Sequence, residues 1–196
     1  MITLEKIAQS AEGTLPEDRK QNIRPIIDYV RKQISIPTIA QLNFICTHNS
    51  RRSHLAQVWA QVAADFYKIP AKTFSAGVEV TAFHPNAVRS FEELGFIVKK
   101  GAGENPIYQL TLEPTQVSCF SKNIDDASLP ADHFAAIMVC DDADENCPFL
   151  PGADVRIPLR YVDPKRADGT AEERAIYRAT SLEIAHEMFY LFSQIK

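Results

Sequence analysis

Long apolar stretches are missing from this sequence. The longest, Phe134 to Cys140, falls far short of the ~20 residues a membrane-spanning helix needs. An excess of positive charge is missing too. The 21 Lys and Arg stand against 25 Asp and Glu, a formal charge of −4, so nothing in the balance points to a nucleic-acid or anionic-membrane partner. Met1 to Gly13 lacks the unbroken apolar run of a signal peptide, because Glu5, Lys6 and Gln9 intervene; a cytoplasmic location is expected. No internal repeat or low-complexity tract is visible. Cysteine is scarce, with four in 196 residues. In a reducing compartment such cysteines are buried, catalytic or metal-binding rather than linked in structural disulfides. What remains, 45% apolar and 23% charged, is the composition of an ordinary globular chain long enough for one well-buried domain and an appendage.

Residues 1–40 read as a helical extension ahead of a domain spanning 41–196. Thr14, Pro16 and Glu17 form a helix start, and Ile23, Ile26, Ile27, Val30 and Ile34 follow at helical spacing. Pro25 interrupts that stripe and predicts a kink or two pieces; Pro37 closes the segment. The apolar stripe predicts that these helices pack on the main domain.

From Leu42 the chain alternates strand and helix. Leu42 to Cys46 reads as a strand, and Leu55, Val58, Trp59, Val62 and Phe66 as one helical face. Lys72 to Ala76 reads as a second strand, ended by Gly77. Pro85 opens a helix that stops at Gly95. Ile107 to Leu112 and Val117 to Ser121 suggest a hairpin. Ala135 to Cys140 and Val155 to Leu159 suggest two more buried strands. Thr170 is expected to cap a final helix bearing Leu182, Ala185, Met188, Phe189, Phe192 and Ile195. Such alternation implies an α/β fold, a mostly parallel sheet with helices on both faces. Ligands then bind at the carboxyl ends of the strands, where Cys46, Ser75-Ala76-Gly77, Cys140 and Asp163 fall.

The segment Cys46-Thr47-His48-Asn49-Ser50-Arg51-Arg52-Ser53 carries the chemistry. A cysteine just before a helix start and a fixed cation has the surroundings that favour a thiolate nucleophile. Arg52 offers a planar fork for two oxygens of a tetrahedral oxyanion, and the residues between can turn N–H groups inward to hold the rest. Asn49 tolerates the left-handed backbone such a loop needs, and Ser53 can donate to the sulfur. The plainer alternative is an inert buried Cys46 beside a solvated Arg51-Arg52 pair.

Phe44-Ile45-Cys46-Thr47-His48-Asn49-Ser50-Arg51-Arg52-Ser53 resembles the catalytic loop of the low-molecular-weight protein tyrosine phosphatase superfamily. Ser75-Ala76-Gly77 and Asp163-Pro164 match two further landmarks of that family. The resemblance implies the phosphotyrosine protein phosphatase I-like fold, a four-stranded parallel sheet in order 2-1-3-4. It implies Cys46 as nucleophile, Arg52 as oxyanion binder and Asp163 as general acid, with residues Thr47 to Ser53 around the anion. Cys140-Asp141-Asp142-Ala143-Asp144-Glu145-Asn146-Cys147-Pro148 resembles the redox segment of thioredoxin-coupled arsenate reductases. That implies a relay in which Cys46, Cys140 and Cys147 reduce arsenate, with no resident cofactor or metal and with thioredoxin as external reductant. Three positions depart from the pattern: His48 stands where glycine is common, Arg51 replaces a second loop cysteine, and Gln57 replaces a carboxylate linked to potassium binding.

Geometry constrains that relay. Seven positions separate Cys140 from Cys147, ~10 Å in a helix or ~23 Å in a strand, whereas a disulfide needs Cα atoms roughly 4.4–6.8 Å apart. The segment must therefore rearrange, and its acidic residues suit a mobile, solvated loop. Its spacing lacks the short Cys pair of a zinc site. Two other functions stay open: a phosphatase acting on phosphotyrosine or small phosphoesters, and a non-catalytic oxyanion- or partner-binding module. Cys119 reads as a packing residue; for Tyr161 and Tyr177 core or surface packing is the default and bordering the pocket the alternative; His84 reads as a helix-entry residue and His186 as an ordinary helix residue.

Overall fold

The computed structural model describes residues 3–36, 38–146 and 149–195. Pro37 and Cys147, both singled out above, lie outside the described residues. Two helices come first, α1 (Leu4–Thr14) and α2 (Glu17–Ile34). Pro25 sits inside α2 without breaking it. It lies on the exposed face, where water can serve the carbonyl whose N–H partner proline lacks. Of the predicted stripe, Ile23, Ile26, Ile27 and Val30 are buried and Ile34 partly so; Tyr29 joins them, and all share one hydrophobic core with the rest of the chain.

Then follow β1 (Ala40–Cys46), α3 (Arg52–Tyr67), β2 (Ala71–Gly77), α4 (Pro85–Glu93), β3 (Ile97–Lys100), β4 (Tyr108–Leu112), β5 (Thr115–Cys119) and β6 (Phe134–Met138). The chain goes on through α5 (Asp141–Asn146), β7 (Ala153–Pro158), a 3₁₀ turn (Pro164–Ala167) and α6 (Glu173–Ser193). Strands β2, β1, β6 and β7 form a four-stranded sheet in that order, every neighbouring pair parallel. Counting only these strands in chain order gives the expected 2-1-3-4. The central pair β1 and β6 is almost wholly buried, as near-continuous apolar runs require in a sheet covered on both faces. A separate antiparallel sheet holds β3, β4 and β5. Its first strand escaped the sequence pattern because Ile97-Val98-Lys99-Lys100 is short and mostly exposed.

Two expectations about local structure need correcting. Thr170 does not cap the last helix; its hydroxyl donates to Ala167 O and closes the turn before α6, which starts at Glu173. The acidic segment after Cys140 is a helix, α5, rather than a solvated loop. Arg156 holds the carbonyls of Ala143 and Asp144, and Arg160 pairs with Asp141 and Asp144, so cations from β7 and beyond neutralise the acidic turn.

Strand β2 lies at the sheet edge, where unpaired backbone groups would otherwise face outward. Side chains cover them. Gln61 accepts from Thr73 N at 3.1 Å and donates to Ala71 O at 3.2 Å. Gln57 donates to Thr73 O at 3.3 Å, and the Lys122 ammonium to Ser75 O at 3.2 Å. Burial pushes the Lys122 ammonium below the usual lysine range. In the core Trp59 satisfies its indole N–H by donating to Ser181 Oγ at 2.9 Å. Among the described residues no helix is long and apolar enough to cross a membrane.

His54 on α3 is fully buried, 3.1 Å from Ser75 Oγ and packed against the Phe83 ring, with centroids 4.2 Å apart and planes tilted by 35°. Burial, reinforced by the Lys122 ammonium, holds its imidazole well below the ordinary 6.5. An unfolded His54 gains its proton near 6.5, whereas the folded one stays neutral far below that. Stability is therefore full above 6.5 and drains as pH falls below it, at up to about 1.4 kcal/mol per pH unit. Urea unfolding of wild type and His54→Asn between about pH 7.5 and pH 5 checks this, and the variant should show the flatter slope. Equal slopes would disprove it.

Candidate active site

The loop after β1 is held open by its surroundings. Thr47 O accepts from Glu79 N at 2.9 Å, His48 O from Ser121 Oγ at 2.9 Å, and Ser50 O from His84 N at 2.9 Å. Each of these carbonyls is thus turned outward onto a neighbouring segment. In a planar trans peptide the C=O and the following N–H point in opposite directions. Pinning the carbonyls outward aims the N–H groups of His48, Asn49 and Arg51 into the concavity. Asn49 reaches this path with φ of 44°. Gly77, at the end of β2, lets the loop pass this close: a Cβ there would meet Asn49 N at 2.5 Å and Thr47 O at 2.8 Å.

Cys46 ends β1 at the base of the concavity, only 4% exposed. Its sulfur lies 3.1 Å from Ser53 Oγ. The direction of that contact follows from a chain of obligate donors. Lys122 N–H can only donate, and it donates to Asn49 Oδ1 at 2.9 Å. That fixes the Asn49 amide, whose Nδ2 donates to Ser53 Oγ at 2.8 Å. The Ser53 hydrogen is left to face the sulfur.

Arg52 opens α3 and lies across the concavity. Its Nη2 donates to Asp163 Oδ2 at 2.7 Å and its Nη1 to Tyr161 O at 3.0 Å. Asp163 caps the 3₁₀ turn by accepting from Lys165 N at 2.9 Å. Cys46, Thr47, His48, Ser50, Arg51, Arg52 and Asp163 enclose a space of only about 10 Å³. Arg52 and Asp163 thus border the concavity as an ion pair.

Cys140 follows β6, the neighbour of β1, and is 2% exposed. Its sulfur accepts from Ala143 N at 3.4 Å and lies 3.6 Å from Thr47 Oγ1. The same Thr47 hydroxyl donates to Asp142 Oδ2 at 2.7 Å, tying the anion loop to α5. The structure thus brings Cys46, Gly77, Cys140 and Asp163 to one edge, where the strand-edge argument placed them, and adds Arg52.

Two loop side chains point elsewhere. Arg51 donates through Nε to Tyr177 OH at 2.7 Å and through Nη2 to Asp168 Oδ2 at 2.9 Å, so toward the concavity it offers its backbone. Burial opposes it, but the Tyr177 hydroxyl and Arg51 together hold the Asp168 carboxyl below the usual carboxylate range. The His48 imidazole stands at the rim, 3.1 Å from Glu79. Gln57 is committed to β2 and to Ser75 Oγ, which donates to its Oε1 at 2.6 Å. Cys119 is core, its thiol pushed up to about 12 by burial. Sequence reasoning missed Asp142 and Asp168. Their signal was indirect: an arginine in the Arg51 position needs a carboxylate nearby, but only the fold says which one.

No protein-family model matches the chain. Curated relatives do. The chain is 30% identical over 147 residues to the arsenate reductase of Bacillus subtilis, covering 74% of this chain and 89% of that protein. It is 29% identical over 143 residues to the arsenate reductase of Halalkalibacterium halodurans, covering 72% and 86%. Among solved structures, an arsenate reductase in its phosphate-binding state superposes with a TM-score of 0.52 at 20% identity, over 81% of this chain and all of that one. A low-molecular-weight protein tyrosine phosphatase from Bacillus subtilis gives 0.55 at 18% identity, over 79% and 95%. With that degree of identity to the Bacillus subtilis relative, the chain belongs to the arsenate reductase family, and it shares its fold with low-molecular-weight protein tyrosine phosphatases.

Proposed function

We propose that the chain reduces arsenate to arsenite, with Cys46 as nucleophile and Cys140 and Cys147 carrying the oxidation outward to thioredoxin. One observation supports this above the others: Cys46 ends β1, Cys140 follows the adjacent parallel strand β6, and the Cys140 sulfur lies 3.6 Å from the hydroxyl of Thr47, the residue next to Cys46. A simple hydrolase has no use for a second buried thiol there. Arsenate takes the inward amides and the Arg52 fork. The Cys46 thiolate attacks arsenic, an oxygen leaves as water, and a sulfur–arsenic bond forms. The Cys140 thiolate then attacks Cys46 sulfur. A disulfide forms, the sulfur–arsenic pair of electrons stays with arsenic, and arsenite departs. Cys147 next attacks Cys140, releasing Cys46 as thiolate, and an external dithiol such as thioredoxin reduces the Cys140–Cys147 bond. For Cys147 to reach Cys140, α5 must unwind and give up its contacts with Arg156 and Arg160.

Asp163 supports a second activity of the same pocket. A carboxyl beside the anion can protonate a leaving alkoxide or phenoxide, so Cys46 would also hydrolyse phosphate esters through a phosphocysteine.

Cys46→Ser should abolish both arsenate reduction and aryl phosphate hydrolysis, because no base lies placed to activate a serine there. Turnover of either substrate by the folded variant would refute the shared nucleophile.

Asp163→Asn should slow hydrolysis of alkyl phosphates by ~10²–10⁴-fold and of aryl phosphates with stable leaving groups much less. Equal losses would show that Asp163 orders the loop instead of donating a proton.

Cys147→Ser isolates the relay. It should release one arsenite per enzyme and stop, with a Cys46–Cys140 disulfide identified by mass mapping, while ester hydrolysis by unoxidised enzyme persists. Sustained thioredoxin-driven turnover by this variant would eliminate Cys147 from the mechanism.

A further inference from the structure

The segment Arg160 to Asp163 does two things at the site: its Tyr161 carbonyl orients Arg52, and its last residue is the acid. It sits on a buried cluster that reaches into the N-terminal helices. Arg19 on α2 grips Glu187 of α6 with both arms, Nε to Oε1 and Nη2 to Oε2, each at 2.6 Å. The third corner of the same guanidinium, Nη1, donates to Arg160 O at 3.1 Å. Tyr161 lies beneath Arg19, its ring centroid 5.1 Å from the guanidinium carbon, and donates its hydroxyl to Glu187 Oε2 at 2.7 Å. The Glu187 side chain is only 2% exposed. Two successive carbonyls are therefore held by two arginines, Arg160 O by Arg19 and Tyr161 O by Arg52. Tyr161 N donates to Val139 O at 3.2 Å, which anchors the same peptide beside Cys140.

We propose that Arg19 is a positioning residue, and that the N-terminal helices complete the site by fixing the Arg160–Asp163 segment from below. The inference rests on the roles given above to Arg52 and Asp163. Its physical basis is the shape of the guanidinium, a rigid planar donor set that serves two carboxylate oxygens and a carbonyl at once. A lysine keeps the charge beside Glu187 but holds a single point of contact, so Arg160 O loses its donor. The peptide then gains freedom at the place that sets the angle of Arg52 and the reach of Asp163. Displacements of ~1 Å at such positions cost up to ~10²-fold in rate.

The test uses the full chain and three variants, Arg19→Lys, Tyr161→Phe and Asp163→Asn, each confirmed folded by circular dichroism and thermal melting. Inorganic phosphate binding by calorimetry reads Arg52; the ratio of alkyl to aryl phosphate kcat reads Asp163. Arg19→Lys should weaken phosphate binding and lower the alkyl-to-aryl ratio by ~10-fold, and Tyr161→Phe should act the same way more mildly. In the Arg19→Lys, Asp163→Asn double variant the loss in alkyl kcat should be less than the product of the two single losses, because both act through one carboxyl. Unchanged phosphate binding and an unchanged ratio in folded Arg19→Lys would overturn the inference, as would fully multiplicative losses. A wild type that binds phosphate in an Arg19-dependent way yet turns over neither ester nor arsenate would overturn the catalytic reading and support the positioning role.

Discussion

Everything at this site depends on carbonyls being held outward. A run of backbone from Thr47 to Arg51 has as many acceptors as donors, and by itself it would present both to an anion. The Glu79 and His84 amides and the Ser121 hydroxyl claim the acceptors, and planarity of the peptide then delivers the donors. The same contacts explain the glycine at position 77, where any side chain would push the loop off its supports. They also explain why the small antiparallel sheet matters: Ser121 and Lys122, just beyond β5, hold the loop and the Asn49 amide.

The two adjacent arginines have divided tasks. Arg52, at the first turn of α3, faces the concavity and is held by the Asp163 carboxylate. Arg51 turns the other way and binds Asp168 and Tyr177, at the far end of the 3₁₀ turn that begins with Asp163. One arginine thus meets each end of the acid-bearing turn.

Helix α5 rests on a balance of charge as well. An acidic helix of six residues is weak by propensity, since Asp favours caps and turns over helix interiors. Arg156 and Arg160 supply what it lacks by binding its carbonyls and carboxylates. Arg160 is also the residue whose carbonyl Arg19 holds, so the acidic helix, the acid loop and the N-terminal helices meet at one short stretch of chain.

The strand order was implied by the family resemblance; the periodicity of apolar residues was enough to read the mostly parallel sheet, the long helices and the placing of Cys46, Cys140 and Asp163 at one edge. These depend on local pattern and on the rule that parallel strands end on a common side. The loop's backbone was legible in part: Asn49 takes the left-handed conformation expected of it. Partner choice was not. Sequence spacing could not say that Arg51 leaves the concavity for Asp168, that Asp142 meets Thr47, or that Arg19 reaches across more than 140 residues to Arg160 and Glu187. Nor could it show that the acidic segment coils, since its helix depends on arginines from β7 and the turn after it. Each of these is a charged or polar contact between distant segments. Such contacts form only once the core has fixed where the backbones stand, because long flexible side chains carry no periodic signal of the partner they will find.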